Sequence, residues 1–161
     1  MVSMGIDPGT ARCGFGLIDV EGDRLKALEF GSIETSPKAR MQDRLEKIFD
    51  TVDALMKKYR PDVMGVEKLF FGRNATTAIP VGQARGVVLL AAAKNAIELT
   101  ELTPAEIKLS VTGYGGADKQ QVMFMIAKLL KLEEKIALDD TADALAVALA
   151  VANTNTFNGR R

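Results

Sequence analysis

Val2-Ser-Met-Gly-Ile-Asp7-Pro-Gly-Thr-Ala-Arg-Cys-Gly-Phe-Gly16 is the stretch on which the reading of the fold turns. A short apolar run ends at a carboxylate, a Pro-Gly turn follows, and a second alternating run with small residues heads back, which predicts a β-hairpin. If its first strand is central, Asp7 stands at the rim of the sheet on a rigid support. Asp, Pro and Gly also favour turns for backbone reasons of their own, so the stretch alone is equally readable as turn chemistry. Partners for Asp7 have to come from the rest of the chain.

Working outward, Arg24 to Thr35 alternates as a third strand, with the pattern interrupted near Gly31 as if by a bulge. Met41, Leu45, Ile48, Phe49, Val52, Leu55, Met56 and Tyr59 then recur at helical spacing between Pro37 and Pro61. Asp62 to Glu67 repeats the opening theme, a short apolar run that fits a strand buried on both faces and ends in a second carboxylate. An alanine-rich helix is predicted from after Arg73 to about Ala96, and Pro80 makes it either begin near Thr77 or, the preferred reading, kink. Glu98 to Leu102 reads as a fifth strand. Thr103-Pro-Ala-Glu106 is a capping box that opens a short helix ending at Gly113. Asp118 caps a further helix with Lys119 in its first turn and Val122, Met125, Ile126, Leu129 and Leu130 on its buried face. A last helix begins at Asp139 and continues to about Ala152. The prediction is one α/β domain over 1–153, a five-stranded mixed sheet of three antiparallel and two further strands flanked by helices on both faces, with a frayed polar tail at 154–161.

Composition excludes more than it selects. Among 161 residues, 21 basic and 21 acidic side chains balance, so any nucleic-acid surface must be a local patch. One cysteine and no histidine rule out a disulfide framework, zinc sites built on His or several Cys, and nucleophile–histidine pairs. Chemistry falls to carboxylates and lysines. No apolar run approaches the ~18 residues of a membrane span, and no basic leader precedes one, so the expectation is a cytoplasmic protein with no membrane partner.

The remaining carboxylates lie on the last helix. Asp140 and Asp143 are three apart and share a face, whereas Asp139 fits helix-start chemistry. Asp143 sits a full turn in, where the helix dipole offers a carboxylate little. Asp7, Glu67, Asp140 and Asp143 converging from two strand ends and a helix would repel, and a divalent cation relieves such repulsion. Oxygen ligands without His or Cys suit Mg²⁺ or Mn²⁺.

In order, Ile6-Asp-Pro-Gly-Thr10, Val66-Glu-Lys-Leu-Phe-Phe71, Gly82-Gln-Ala-Arg-Gly86, the loop from Gly113 to Lys119 and Asp140-Thr-Ala-Asp-Ala-Leu-Ala146 resemble the motifs of the RuvC Holliday junction resolvases, in the ribonuclease H-like superfamily. The resemblance implies a nuclease that resolves four-way DNA junctions by paired symmetric nicks in recombination and repair. It implies Asp7, Glu67, Asp140 and Asp143 as metal ligands for two Mg²⁺ ions, with Mn²⁺ as a substitute, and Lys119 as the basic residue beside them. It also implies Phe70 as the aromatic that wedges against opened bases. Arg73, Lys108 and Arg85 are candidate phosphate contacts that would give the chain a locally basic surface. Gly82 and Gly86 lie four apart on one helix face, which suits core contact or a homodimer interface; the two-fold symmetry of the substrate favours the dimer. A branch-migration helicase complex is the further partner the resemblance implies. Two other readings use the same residues: an actin-related ATPase or sugar kinase, for which a second closing domain would be needed, and a junction-binding module without catalysis.

Overall fold

The computed structural model describes residues 1–69, 75–132 and 139–158, with backbone alone at 75–77, 139 and 155–158. The chain runs β1 (Val2–Asp7), β2 (Arg12–Glu21), β3 (Arg24–Glu34), α1 (Met41–Tyr59), β4 (Val63–Glu67), α2 (Ala75–Lys94), β5 (Glu98–Leu102), α3 (Pro104–Thr112), α4 (Lys119–Leu129) and α5 (Asp139–Asn158). The sheet order is β3-β2-β1-β4-β5, antiparallel across β1, β2 and β3 and parallel from β1 through β4 to β5. β1 is therefore the middle strand.

Period-two alternation sorts the two faces. Met4, Ile6, Met64 and Val66 turn to one side, where they meet Ile48, Val52 and Met56 of α1 and Ala84, Val88 and Ala91 of α2. The odd-numbered residues of β1 and β4 turn to the other side, under α5, with Ser3 Oγ donating to the Ala148 carbonyl at 3.0 Å. α3 and α4 complete that layer through Ile107, Val111, Val122 and Ile126. Asp7 and Glu67 inherit the α5 face from this parity.

α5 can lie so close because glycines line up across three strands beneath it. Gly5 pairs with Gly16 of β2 on one side and Gly65 of β4 on the other. A Cβ at Gly5 would stand 2.1 Å from the Ala144 carbonyl oxygen and 2.4 Å from the Ala148 nitrogen, distances no side chain tolerates. At Gly14, a Cβ would lie 2.0 Å from the Asp140 carbonyl oxygen. The trough thus fixes the depth and axial position of the helix that carries Asp140 and Asp143.

Several sequence expectations shift. The bulge falls at Leu28, since Glu29 faces Leu17 and Ala27 faces Ile18; Gly31 stays in the ladder opposite Phe15, whose ring takes the space a side chain would need. α2 begins at Ala75, two residues before Thr77, and encloses Pro80. Leu129 is 37% exposed, while Val122, Ile126 and Leu130 form the buried face of α4. α5 continues through Asn158 and does not end near Ala152. Its polar residues find partners on the spot: Thr154 Oγ1 donates to the Ala150 carbonyl, and Asn153 Nδ2 donates to Ser110 Oγ of α3 at 3.0 Å. Among the described residues no helix is long and apolar enough to cross a membrane.

Candidate active site

Ile6 and Val66 are the last pair of the parallel β1–β4 ladder, so Asp7 and Glu67 follow them side by side at the carboxyl ends of adjacent strands. In open α/β sheets this rim is where ligands bind. α5 brings the second pair. Asp140 rests on Gly14, the residue opposite Asp7, and Asp143 follows three positions later on the same helix.

The carboxylates act on one another through their charge. Burial pushes the Asp7 carboxyl up from an ordinary 3.8 to about 7, and the charges of Asp143, Asp140 and Glu67 push the same way, with Lys119 opposing. Glu67 is also raised, by burial first and then by Asp143, while Lys108 pulls it down. Two cations already engage the helix pair. Lys119 Nζ lies 3.2 Å from Asp143 Oδ2, and Arg12 Nε lies 3.0 Å from Asp140 Oδ2. The Arg12 contact is an ion pair without hydrogen-bond geometry, and among the described residues the buried Asp140 Oδ2 has no hydrogen-bond partner. As the side chains stand, no three described carboxylates gather tightly enough to grip one ion. The donor set itself is all oxygen, carries excess negative charge and keeps a buried acceptor unspent, and these properties fit a hard divalent cation.

A cleft of about 310 Å³ opens beside this rim, lined by Glu67, Asp143, Lys108 and Lys119 with Ile107, Val122, Pro104 and Ala146. Its two lysines come from separate local devices. The Thr103–Glu106 capping box starts α3 and sets Lys108 one turn in. The Asp118–Gln121 capping box starts α4 with Lys119 as its first residue. Asp118 was legible as a cap; its reciprocal partner Gln121 was not singled out.

Arg85 is not in this cleft. Its guanidinium lies on the other face of the sheet, ion-paired to Glu101 and donating to the Glu67 carbonyl, so the expectation of a phosphate contact there is replaced by an internal one. Among the described residues nothing outside the backbone of α2 itself lies within 4 Å of where a Cβ would stand at Gly82 or Gly86, so neither glycine marks a close approach there. Phe70 and Arg73 lie outside the described residues, as does the side chain of Asp139. Sequence reasoning overlooked Arg12, although its place at the start of β2, just past the Asp7-Pro-Gly turn, puts it at the same rim.

The family model described as crossover junction endodeoxyribonuclease RuvC matches residues 3–151. The chain belongs to the RuvC family. The RuvC of Heliobacterium modesticaldum is 52% identical over 157 residues, which span 98% of this chain and 97% of that one. Thermus thermophilus RuvC has a TM-score of 0.91 at 34% identity, covering 98% of this chain and 97% of its own. The same RuvC in complex with Holliday junction substrate gives a TM-score of 0.93 at 33% identity, over 98% and 96% of the two chains. The five-stranded mixed sheet with helices on both faces is thus the ribonuclease H-like sheet of RuvC.

Proposed function

We propose that this RuvC-family chain resolves four-way DNA junctions by hydrolysing phosphodiesters at the β1–β4 rim. The observation that supports the reading is that the charges of Asp143, Asp140 and Glu67 all raise the Asp7 carboxyl, in a chain that matches a junction-bound RuvC along 98% of its length. Asp7, Glu67, Asp140 and Asp143 are the residues that would hold the metal, read as two Mg²⁺ ions with Mn²⁺ as a substitute. Such ions acidify a water for attack and offset charge on the leaving oxygen.

The chain's own contributions follow from its side chains. Lys108 and Lys119 place two ammonium groups in the cleft, which attracts a polyanion to carboxylates that would otherwise repel it and balances charge that grows on a phosphate. The glycine trough sets the α5 backbone that carries Asp140 and Asp143 at a fixed height over β1 and β2, which leaves only side-chain rotation to gather the carboxylates on an ion. Phe70 is proposed as a DNA contact on the family resemblance, and Arg73 as a phosphate contact on its charge.

Paired nicking asks for two copies of the site, and α2 is the proposed contact. Ile79 is 68% exposed and Leu90 53% exposed, and with Gln83 and Gly86 they form one outward stripe on which Gly82 and Gly86 would admit another backbone. The deciding experiment is incubation with a synthetic four-way junction and Mg²⁺ or Mn²⁺, mapping which strands are cut. Symmetric paired cuts that vanish in Glu67→Gln are the expected result. Binding without cutting, or nucleotide turnover without cutting, would overturn the reading.

A further inference from the structure

We propose that Arg85 is a positioning residue for Glu67, replacing a backbone donor that Pro8 removes. This inference rests on Glu67 belonging to the cleavage site. Neighbouring residues of a strand turn their peptide groups to opposite sides. Lys68 N donates to the Leu102 carbonyl of β5 at 2.7 Å, so Glu67 turns its own carbonyl the other way, toward β1. The register that pairs Ile6 with Val66 makes residue 8 the next donor for that carbonyl. Residue 8 is proline and has no N–H to give.

Arg85 fills the gap from below. Its Nη1 donates to the Glu67 carbonyl at 3.1 Å, and its Nη2 meets Glu101 Oε2 at 2.9 Å. Glu101 sits opposite Val66 in the β4–β5 ladder and shares its face, so the guanidinium ties the ends of β4 and β5 to α2. The Arg85 side chain is only 12% exposed against 44% for Glu101, which makes it an internal brace with little surface for DNA. Glu67 is the last residue of β4, and a strand end lacking its ladder bond is free to rotate about the Cα that aims the carboxylate. The Asp-Pro-Gly turn that shapes the rim at Asp7 therefore leaves a vacancy in the hydrogen bonding of its neighbour, and α2 supplies the missing donor.

The test separates aim from affinity and from folding. Arg85→Met, Arg85→Lys and Glu101→Gln are compared with the parent in single-turnover cleavage at saturating junction, in junction binding with chelator present, and in thermal melts. Arg85→Met should lose about 10- to 100-fold in rate, the scale of a carboxylate misplaced by about 1 Å, with its junction Kd unchanged. Arg85→Lys, which keeps one donor, should recover part of that rate, and Glu101→Gln should fall between. A raised Kd with a salt slope lower by about one would make Arg85 a phosphate contact and overturn the proposal. So would a parent-like rate, or a rate loss that Arg85→Lys does not relieve at temperatures where every variant is folded. If Arg85→Met does not fold, the lysine and Glu101 variants decide by the same criteria. Glu67→Gln runs alongside: full activity there refutes the site, whereas an inactive Glu67→Gln with a fully active Arg85→Met refutes only the brace.

Discussion

Asp7→Asn should end cleavage and at the same time make the chain more stable. In the folded chain the Asp7 carboxyl is held up at about 7 against an ordinary 3.8, by burial and by three neighbouring carboxylates. A carboxyl that keeps its proton better when folded favours folding in acid, and that advantage drains away as pH climbs from about 4 through about 7. The interval is about three pH units, worth about 4 kcal/mol at most at about 1.4 kcal/mol each. Movement of Asp140, Asp143 and Glu67 and entry of water reduce this, so Asn should return about 2 kcal/mol at pH 8. In a chain of 161 residues that is a rise in Tm of about 4–8 °C. The assay is a series of thermal melts from pH 4 to 8 in chelator, parent against variant, so that groups common to both cancel in the difference. The two curves should meet near pH 4 and separate toward pH 8. Adding Mg²⁺ should raise the parent's Tm by stabilising the charged cluster, and raise the variant's less. Curves that run parallel, or an Asn variant that melts below the parent at pH 8, would show that Asp7 carries no such charge strain.

Four further outcomes are expected. Asp140→Asn and Asp143→Asn, like Glu67→Gln, should abolish cutting while junction binding in a gel-shift assay survives, and Asp139→Asn should cut like the parent. Gly5→Ala should lower Tm by roughly 6–12 °C, because a Cβ 2.1 Å from the Ala144 carbonyl forces α5 off the sheet at a cost of about 3 kcal/mol. Cys13, buried with its thiol pushed up to about 12 chiefly by that burial, should stay unmodified by a disulfide reagent at pH 8 until denaturant unfolds the chain. Gly86→Leu should leave the melting of the monomer close to the parent's, since nothing among the described residues crowds its Cβ, yet shift sedimentation toward monomer and leave single nicks unpaired; an undisturbed dimer would assign the interface elsewhere.

How much of the fold is legible in the sequence follows from the range of the forces involved. Hairpin, strand and cap signals act over a few residues, so the element order, the capping box at Thr103, the cap at Asp118 and the strand-end placing of Asp7 and Glu67 were all available to periodicity and turn chemistry. The parity that turns both carboxylates toward α5 was also present, since it needs only the count of residues from Gly5 to Asp7 and from Gly65 to Glu67. The bulge was misplaced by three residues because a glycine in a strand has two physical meanings, a break in the ladder or room for a neighbour's ring. Gly31 serves the second, and only the cross-strand position of Phe15 says so.

Lys108 and Lys119 were legible, but the partners of the two arginines were not, for a different reason. Arg12 and Arg85 reach Asp140 and Glu101 across separations of more than a hundred residues and of sixteen, through contacts no local pattern encodes. Nonetheless a constraint on each existed in the sequence. Four carboxylates gathered at a rim require counter-charge, and the chain has no histidine to share the load, so arginines and lysines at the rim ends of neighbouring elements were the candidates. Pro8 supplied the second clue. Placed between a rim carboxylate and a glycine, it shapes the turn and deletes a donor, and a strand that runs parallel to β1 must then satisfy its last carbonyl by other means. That requirement belongs to the pair of strands and not to either alone, so it becomes visible only once β4 is known to lie beside β1, in a register that sets Glu67 against Asp7.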